Sequence, residues 1–150
     1  MLRHWRVILA SMLLCYWAVI FTITHLPPRH VPHVNVSDKI EHFVGYAGLA
    51  TLLYATLWAY RPHFRYPALF VIAVAMCYGA ADEMLQTLVG RKADVRDWIA
   101  DVAGATLAAI MMALLRRTIW RRAIARQQDA WKVRDTVRER LATDPAAASS

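Results

Sequence analysis

Cysteine is scarce in this chain, and acid is missing from most of its length. The two cysteines, Cys15 and Cys77, fall inside apolar runs and form no CxxC pair. That excludes a disulfide framework and a cysteine-based metal site, and each thiol reads as a small buried hydrophobe. The first 37 positions and the stretch from 42 to 81 hold no Asp or Glu at all. Polar residues in general are too few for an ordinary soluble domain: 58% of the residues are hydrophobic and the mean hydropathy is +0.29, against about 45–50% apolar in soluble proteins. A single domain of 150 residues has no core large enough to hide that excess. A bilayer removes the difficulty by solvating the outside of a helix bundle. No internal repeat is present. The basic charge is not spread as on a nucleic-acid-binding module, since nine of the eighteen Lys and Arg lie at or beyond Arg116. A basic tail after an apolar segment fits the cytoplasmic side of a membrane, and no nucleic-acid partner is expected.

Four apolar runs are present, at about 7–26, 43–60, 67–87 and 98–115. Each approaches the roughly 20 residues needed to cross a hydrocarbon core. The first follows Arg3 and Arg6, as a signal peptide would. Its length, and the lack of a small-x-small site before Leu26-Pro27-Pro28, favour an uncleaved span. Pro62 closes the second, and Asp101 interrupts the fourth. Gly45 and Gly48, and Gly104 with Ala105, Ala108 and Ala109, are small residues at helical spacing that let membrane helices approach closely. The expected fold class is an all-α membrane protein: a four-transmembrane-helix bundle over 1–117, then a basic, partly disordered cytoplasmic tail over 118–150.

Loop charge predicts orientation. The amino terminus, the 61–66 loop and the tail share one side and carry Arg3, Arg6, Arg61, Arg65, Arg116, Arg117, Arg121 and Arg122. The other side carries Arg29, Lys39, Arg91, Lys92 and Arg96. The excess predicts that both termini are cytoplasmic. Within the tail, Ile119 to Leu141 reads as a basic amphipathic helix whose Trp120, Ile124 and Trp131 can meet lipid headgroups, and Thr143 to Ser150 as disordered.

Outside the tail every acid falls into one of three clusters: Asp38 with Glu41, Asp82 with Glu83, and Asp94, Asp97 and Asp101. In a four-span topology all three come to the same, non-cytoplasmic membrane face. In the first, Ser37 or Asp38 can cap the helix, and Asp38 shares a face with His42, as do Lys39, His42 and Tyr46. An imidazole between an acid and a phenol suits a proton shuttle or a metal ligand, although a lone histidine is more often a helix-packing residue. In the second, Asp82 and Glu83 both lie within a turn of Gln86. Two adjacent carboxylates at the end of a span must pair with cations, bind a metal or hold a proton. In the third, the spacing puts Asp94, Asp97 and Asp101 on one helical face, with Asp101 a turn inside the span. Lys39, Arg91, Lys92 and Arg96 are the available cations. His25, His30 and His33 add a metal possibility whose spacing matches no defined site.

These stretches together resemble the VanZ-like family of small bacterial membrane proteins. The resemblance rests on Asp38-Lys39-x-x-His42-Phe43-x-x-Tyr46-x-x-Leu49, then Asp82-Glu83-x-x-Gln86, followed in order by Arg91, Asp97 and Gly104. It covers residues 37 to 115. The chain departs from the pattern at Asp94 and Asp101, where a small polar residue and an Asn are expected, so its site is more acidic. The resemblance implies a membrane protein acting at the cell envelope, in a family named for a protein linked to low-level teicoplanin resistance. It implies no established reaction.

Three functional classes follow. In the first, Lys39, His42, Tyr46, Asp82, Glu83, Gln86, Arg91, Asp97 and Asp101 bind an envelope lipid or precursor headgroup, with Lys39, Arg91 and Arg96 on its phosphate. In the second, a membrane-embedded enzyme acts on a lipid phosphate. Asp38 and His42 then serve as general base, and Glu83 or Asp82 holds a divalent cation. In the third, the acids carry protons or cations; it ranks last, because the middles of the spans hold no titratable relay. Beside all three stands a structural reading, in which the charges cross-link helices and nothing more.

Overall fold

A computed structural model describes residues 2–26, 37–90 and 92–143. It contains four α-helices: α1 (Leu2–Thr24), α2 (Asp38–Tyr60), α3 (Pro67–Gln86) and α4 (Val95–Thr143), with a 3-10 turn at Thr87–Val89. No strand occurs among the described residues. Each of the four helices is long and apolar enough to cross a membrane. The chain divides into two compact units, 1–113 and 114–150, and α4 contributes residues to both.

The helix ends follow from local chemistry, and they shift the expected boundaries. α2 starts five positions before its apolar run, because Ser37 is extended and its carbonyl receives the Ile40 and Glu41 N–H groups at 2.8 and 3.3 Å. Asp38 and Glu41 lie in the first turn, where carboxylates complement the helix dipole. Ser37 occupies the cap position, yet its side chain makes no capping bond. α3 opens on Pro67, whose missing N–H costs nothing at a helix start. It ends in the 3-10 turn, followed by Gly90 at φ +80°, a left-handed conformation that glycine adopts without strain. α4 begins at Val95, three positions before its apolar run, because the Asp94 carboxylate caps it by accepting the Arg96 N–H at 2.8 Å. Asp94 therefore stands before the helix instead of sharing its face with Asp97 and Asp101.

Within the first unit the apolar core is built largely of small residues around two tyrosines. Tyr46, Ala50 and Tyr54 of α2, Val71 and Ala75 of α3, and Ala105, Ala108 and Ala109 of α4 are all buried. Gly104 lies against the Phe43 carbonyl, where an added Cβ would collide with backbone. Gly48 faces the Tyr16 hydroxyl, which donates to the Gly45 carbonyl at 3.1 Å. Large apolar side chains such as Leu14, Val44, Leu69 and Met111 point outward. A bundle that buries small and polar groups while exposing its large hydrophobes is suited to lipid, where apolar surface gains nothing by hiding. Cys15 and Cys77 are free thiols on that outer surface, not the buried hydrophobes expected. In lipid an outward position is as apolar as a core.

In the second unit, α4 residues Ile119, Trp120, Ile124 and Trp131 are exposed among arginines. The tail expected to be disordered falls, from residue 144 onward, outside the described residues, as do His30 and His33.

Candidate functional site

The polar residues of four helices converge at one end of the first unit: the end of α1, the start of α2, the end of α3 and the start of α4. Because α2 and α4 begin earlier than their apolar runs, Asp38, Lys39, His42 and Asp97 ride on regular helix, as does Asp101 within the fourth run. Helical spacing then aims His42, Asp97 and Asp101 inward. His42, Asp82, Glu83, Gln86, Asp97 and Asp101 are all buried, with Asp101 at 0% exposure and Asp82 at 1%.

Four connections hold this end together. His42 Nδ1 and Asp101 Oδ1 are 2.9 Å apart, a buried bond between α2 and α4. Lys39 Nζ donates to Asp97 Oδ1 at 3.0 Å and stands 3.6 Å from Asp94 Oδ2. Glu83 Oε2 accepts the Asp94 backbone N–H at 2.9 Å, so the end of α3 holds the approach to α4. Asp82 receives Gln86 Nε2 on Oδ2 at 2.9 Å and the Thr24 hydroxyl on Oδ1 at 3.2 Å, with His25 Nδ1 3.7 Å from the same oxygen. The Arg96 N–H at its carboxylate, with Lys39 nearby, holds Asp94 below the usual carboxylate range.

The rest of the site is shaped by packing. The Tyr46 ring is 1% exposed and leans on Tyr78 with centroids 5.9 Å apart. Gly79 leaves room beside Asp101, since a Cβ there would meet Asp101 Oδ2 at 3.2 Å and the Trp98 ring at 3.2 Å. Trp98 Nε1 donates to the Met76 carbonyl at 3.0 Å, a further link from α4 to α3. Two groups of side chains have ligand atoms close enough to share a cation: His42, Glu83 and Asp101, and, nearer the surface, Asp38, His42 and Asp97. Within each group these atoms lie within 4.8 Å of one another.

Of the residues expected at a site, Lys39, His42, Tyr46, Asp82, Glu83, Gln86, Asp97 and Asp101 come to this end, while Arg91 lies outside the described residues. Asp38 is exposed at the rim, and the acid bonded to His42 is Asp101. Thr24, Gly79 and Trp98 were not expected. Thr24 carries no signal in a sequence, because a hydroxyl near the end of an apolar run is commonplace. His25 had been singled out only for its imidazole.

A polar cluster buried among membrane-crossing helices defines a multi-pass membrane protein with an internal polar site. Residues 10–116 match the VanZ/LLP1 family, and the chain belongs to it. No match is found among curated proteins or among solved structures.

Proposed function

We propose that this VanZ/LLP1 protein binds the phosphate-bearing headgroup of an envelope lipid or lipid-linked precursor at the polar end of its bundle, on the non-cytoplasmic face. The observation that carries this reading is Lys39. Its side chain is 45% exposed, and Asp97 and Asp94 hold its ammonium at the border between the buried cluster and the outside. A cation at the polar end of a membrane-crossing helix suits the phosphate of a lipid headgroup. Arg96, exposed in the first turn of α4, supplies a planar fork for the same anion. The buried carboxylates and His42 behind them suit hydroxyl or ammonium groups of the headgroup.

The reading is tested by native mass spectrometry of the protein extracted with its membrane lipids. A phosphate-bearing lipid should remain on the wild type and be depleted in Lys39→Met with Arg96→Met. Equal retention by that double variant defeats the reading. The exchange Lys39→Asp with Asp97→Lys separates binding from cross-linking. If the charges only join helices, the exchange restores the wild-type complex; if Lys39 meets phosphate, it does not.

The His42–Asp101 bond favours a second reading, hydrolysis or transfer on a lipid phosphate with His42 as general base. A carboxylate on one ring nitrogen orients the imidazole and stabilises its protonated form. Phosphate release undiminished in His42→Ala removes this reading and leaves binding intact.

A further inference from the structure

Among the described residues, the buried carboxylates outnumber the positive charges that face them. Asp97 is paired by Lys39 and Asp101 by His42, each through one oxygen. Asp82 is served on both oxygens, by Thr24 and Gln86. Two carboxylate oxygens are left over: Glu83 Oε1 and Asp101 Oδ2 are buried and meet no donor among the described residues. Their residues are 7% and 0% exposed, so bulk water does not serve them. Uncompensated charge on buried oxygen is expensive, and more so between membrane helices. The cage calls for a positive species, either an added proton or a cation.

Geometry distinguishes the two. One ligand atom each from His42, Glu83 and Asp101 lies within 4.8 Å of the other two. Three ligands on one ion at about 2.0–2.3 Å stand about 3.3–4.0 Å from one another, so a closure of about an ångström or less would seat an ion among them. A proton shared by two carboxylates needs no third ligand, whereas a cation can take all three. An imidazole with two carboxylates is the donor set of Zn²⁺, Mn²⁺ or Fe²⁺, whereas Ca²⁺ and Mg²⁺ prefer oxygen alone. The ligands come from α2, α3 and α4, and Gly79 keeps the wall beside Asp101 Oδ2 open.

We propose that His42, Glu83 and Asp101 form a divalent transition-metal site inside the helix bundle. The site requires no lipid, and it goes beyond the headgroup reading without depending on it. Three protein ligands leave coordination positions for water or for an anionic group from outside.

The full chain, purified in detergent without a polyhistidine tag and stripped with chelator, is titrated with Zn²⁺ and, separately, with Mn²⁺. About one ion per chain should bind, and the Mn²⁺ spectrum should carry the nitrogen coupling of one imidazole. The near-isosteric Glu83→Gln and Asp101→Asn, and His42→Ala, should each weaken binding about tenfold or more, as loss of a metal-site partner typically does. Asp129→Asn, in the second unit, should not change it. Failure of the wild type to bind a stoichiometric ion overturns the site, as does unchanged binding in both Glu83→Gln and Asp101→Asn. If the variants do not fold, the wild-type spectrum decides alone: bound Mn²⁺ with no nitrogen coupling also overturns it. A protonated-carboxyl infrared band that chelator and metal leave unmoved would identify a shared proton instead.

Discussion

Asp94 and Asp101 are seven residues apart and live in opposite conditions. Asp101 is fully buried and meets an imidazole on one oxygen and no donor on the other. Asp94 has a side chain 45% exposed, caps α4 through the Arg96 N–H, and stands 3.6 Å from the Lys39 ammonium. Charge on Asp94 is therefore favoured by its surroundings, and its affinity for protons is lowered on folding. A depressed carboxylate stabilises the fold above its unfolded value, about 3.9 for Asp, and loses that contribution as pH falls through the folded value. Asn also caps helices well, so Asp94→Asn isolates the charge. Denaturant titrations of the two proteins in micelles should show wild type the more stable near neutrality, with the gap closing below about pH 3 and shrinking in high salt. A gap that widens in acid would contradict the assignment.

At the scale of elements, approach distance governs the site. His42 reaches Asp101 only because α2 and α4 come close enough for Gly104 to touch the Phe43 carbonyl. Gly104→Ala drives a methyl group into backbone that cannot step aside, and should destabilise the bundle by about 1–3 kcal/mol. Gly48→Ala meets the Tyr16 hydroxyl instead, the far end of a side chain that can swing away. It sacrifices one hydrogen bond, about 1 kcal/mol. Unfolding in mixed micelles should rank Gly104→Ala as the more damaging, and equal effects would refute the close-approach argument. The apolar runs and small-residue spacing made the four helices and their close contacts legible from sequence. The starts of α2 and α4 were less so, because hydropathy marks where lipid begins, whereas capping by the Ser37 carbonyl and the Asp94 side chain decides where helix begins. The same limit hid the partner of His42. Helical spacing points to Asp38 on its own helix, but the choice of Asp101 depends on how α4 rotates against α2, which no local pattern encodes.

For the whole molecule, the meaning of the polar end depends on which side of the membrane it faces. Helix ends alone do not set this, since the bundle inverted would hold the same bonds. The basic residues supply a prediction: Arg61 and Arg65 in one connection, and the Arg116–Arg117 and Arg121–Arg122 pairs after the last apolar run, mark the segments expected to stay in the cytoplasm. Such loops resist translocation, which predicts a non-cytoplasmic position for the polar end. Single cysteines test this in a chain whose Cys15 and Cys77 are first replaced by alanine. Both native thiols are exposed on the helix surface, so their removal empties no core. Ser37→Cys and Thr87→Cys, both at exposed positions beside the polar end, should react with a membrane-impermeant maleimide in intact spheroplasts. Ala130→Cys, exposed in the second unit, should react only after the membrane is opened. The reverse pattern would put the carboxylate cluster in the cytoplasm. The His42–Glu83–Asp101 site would survive that result, because an ion reaches it from either side. A precursor headgroup displayed outside the membrane would not, and the proposed ligand would have to be sought among cytoplasmic-leaflet lipids.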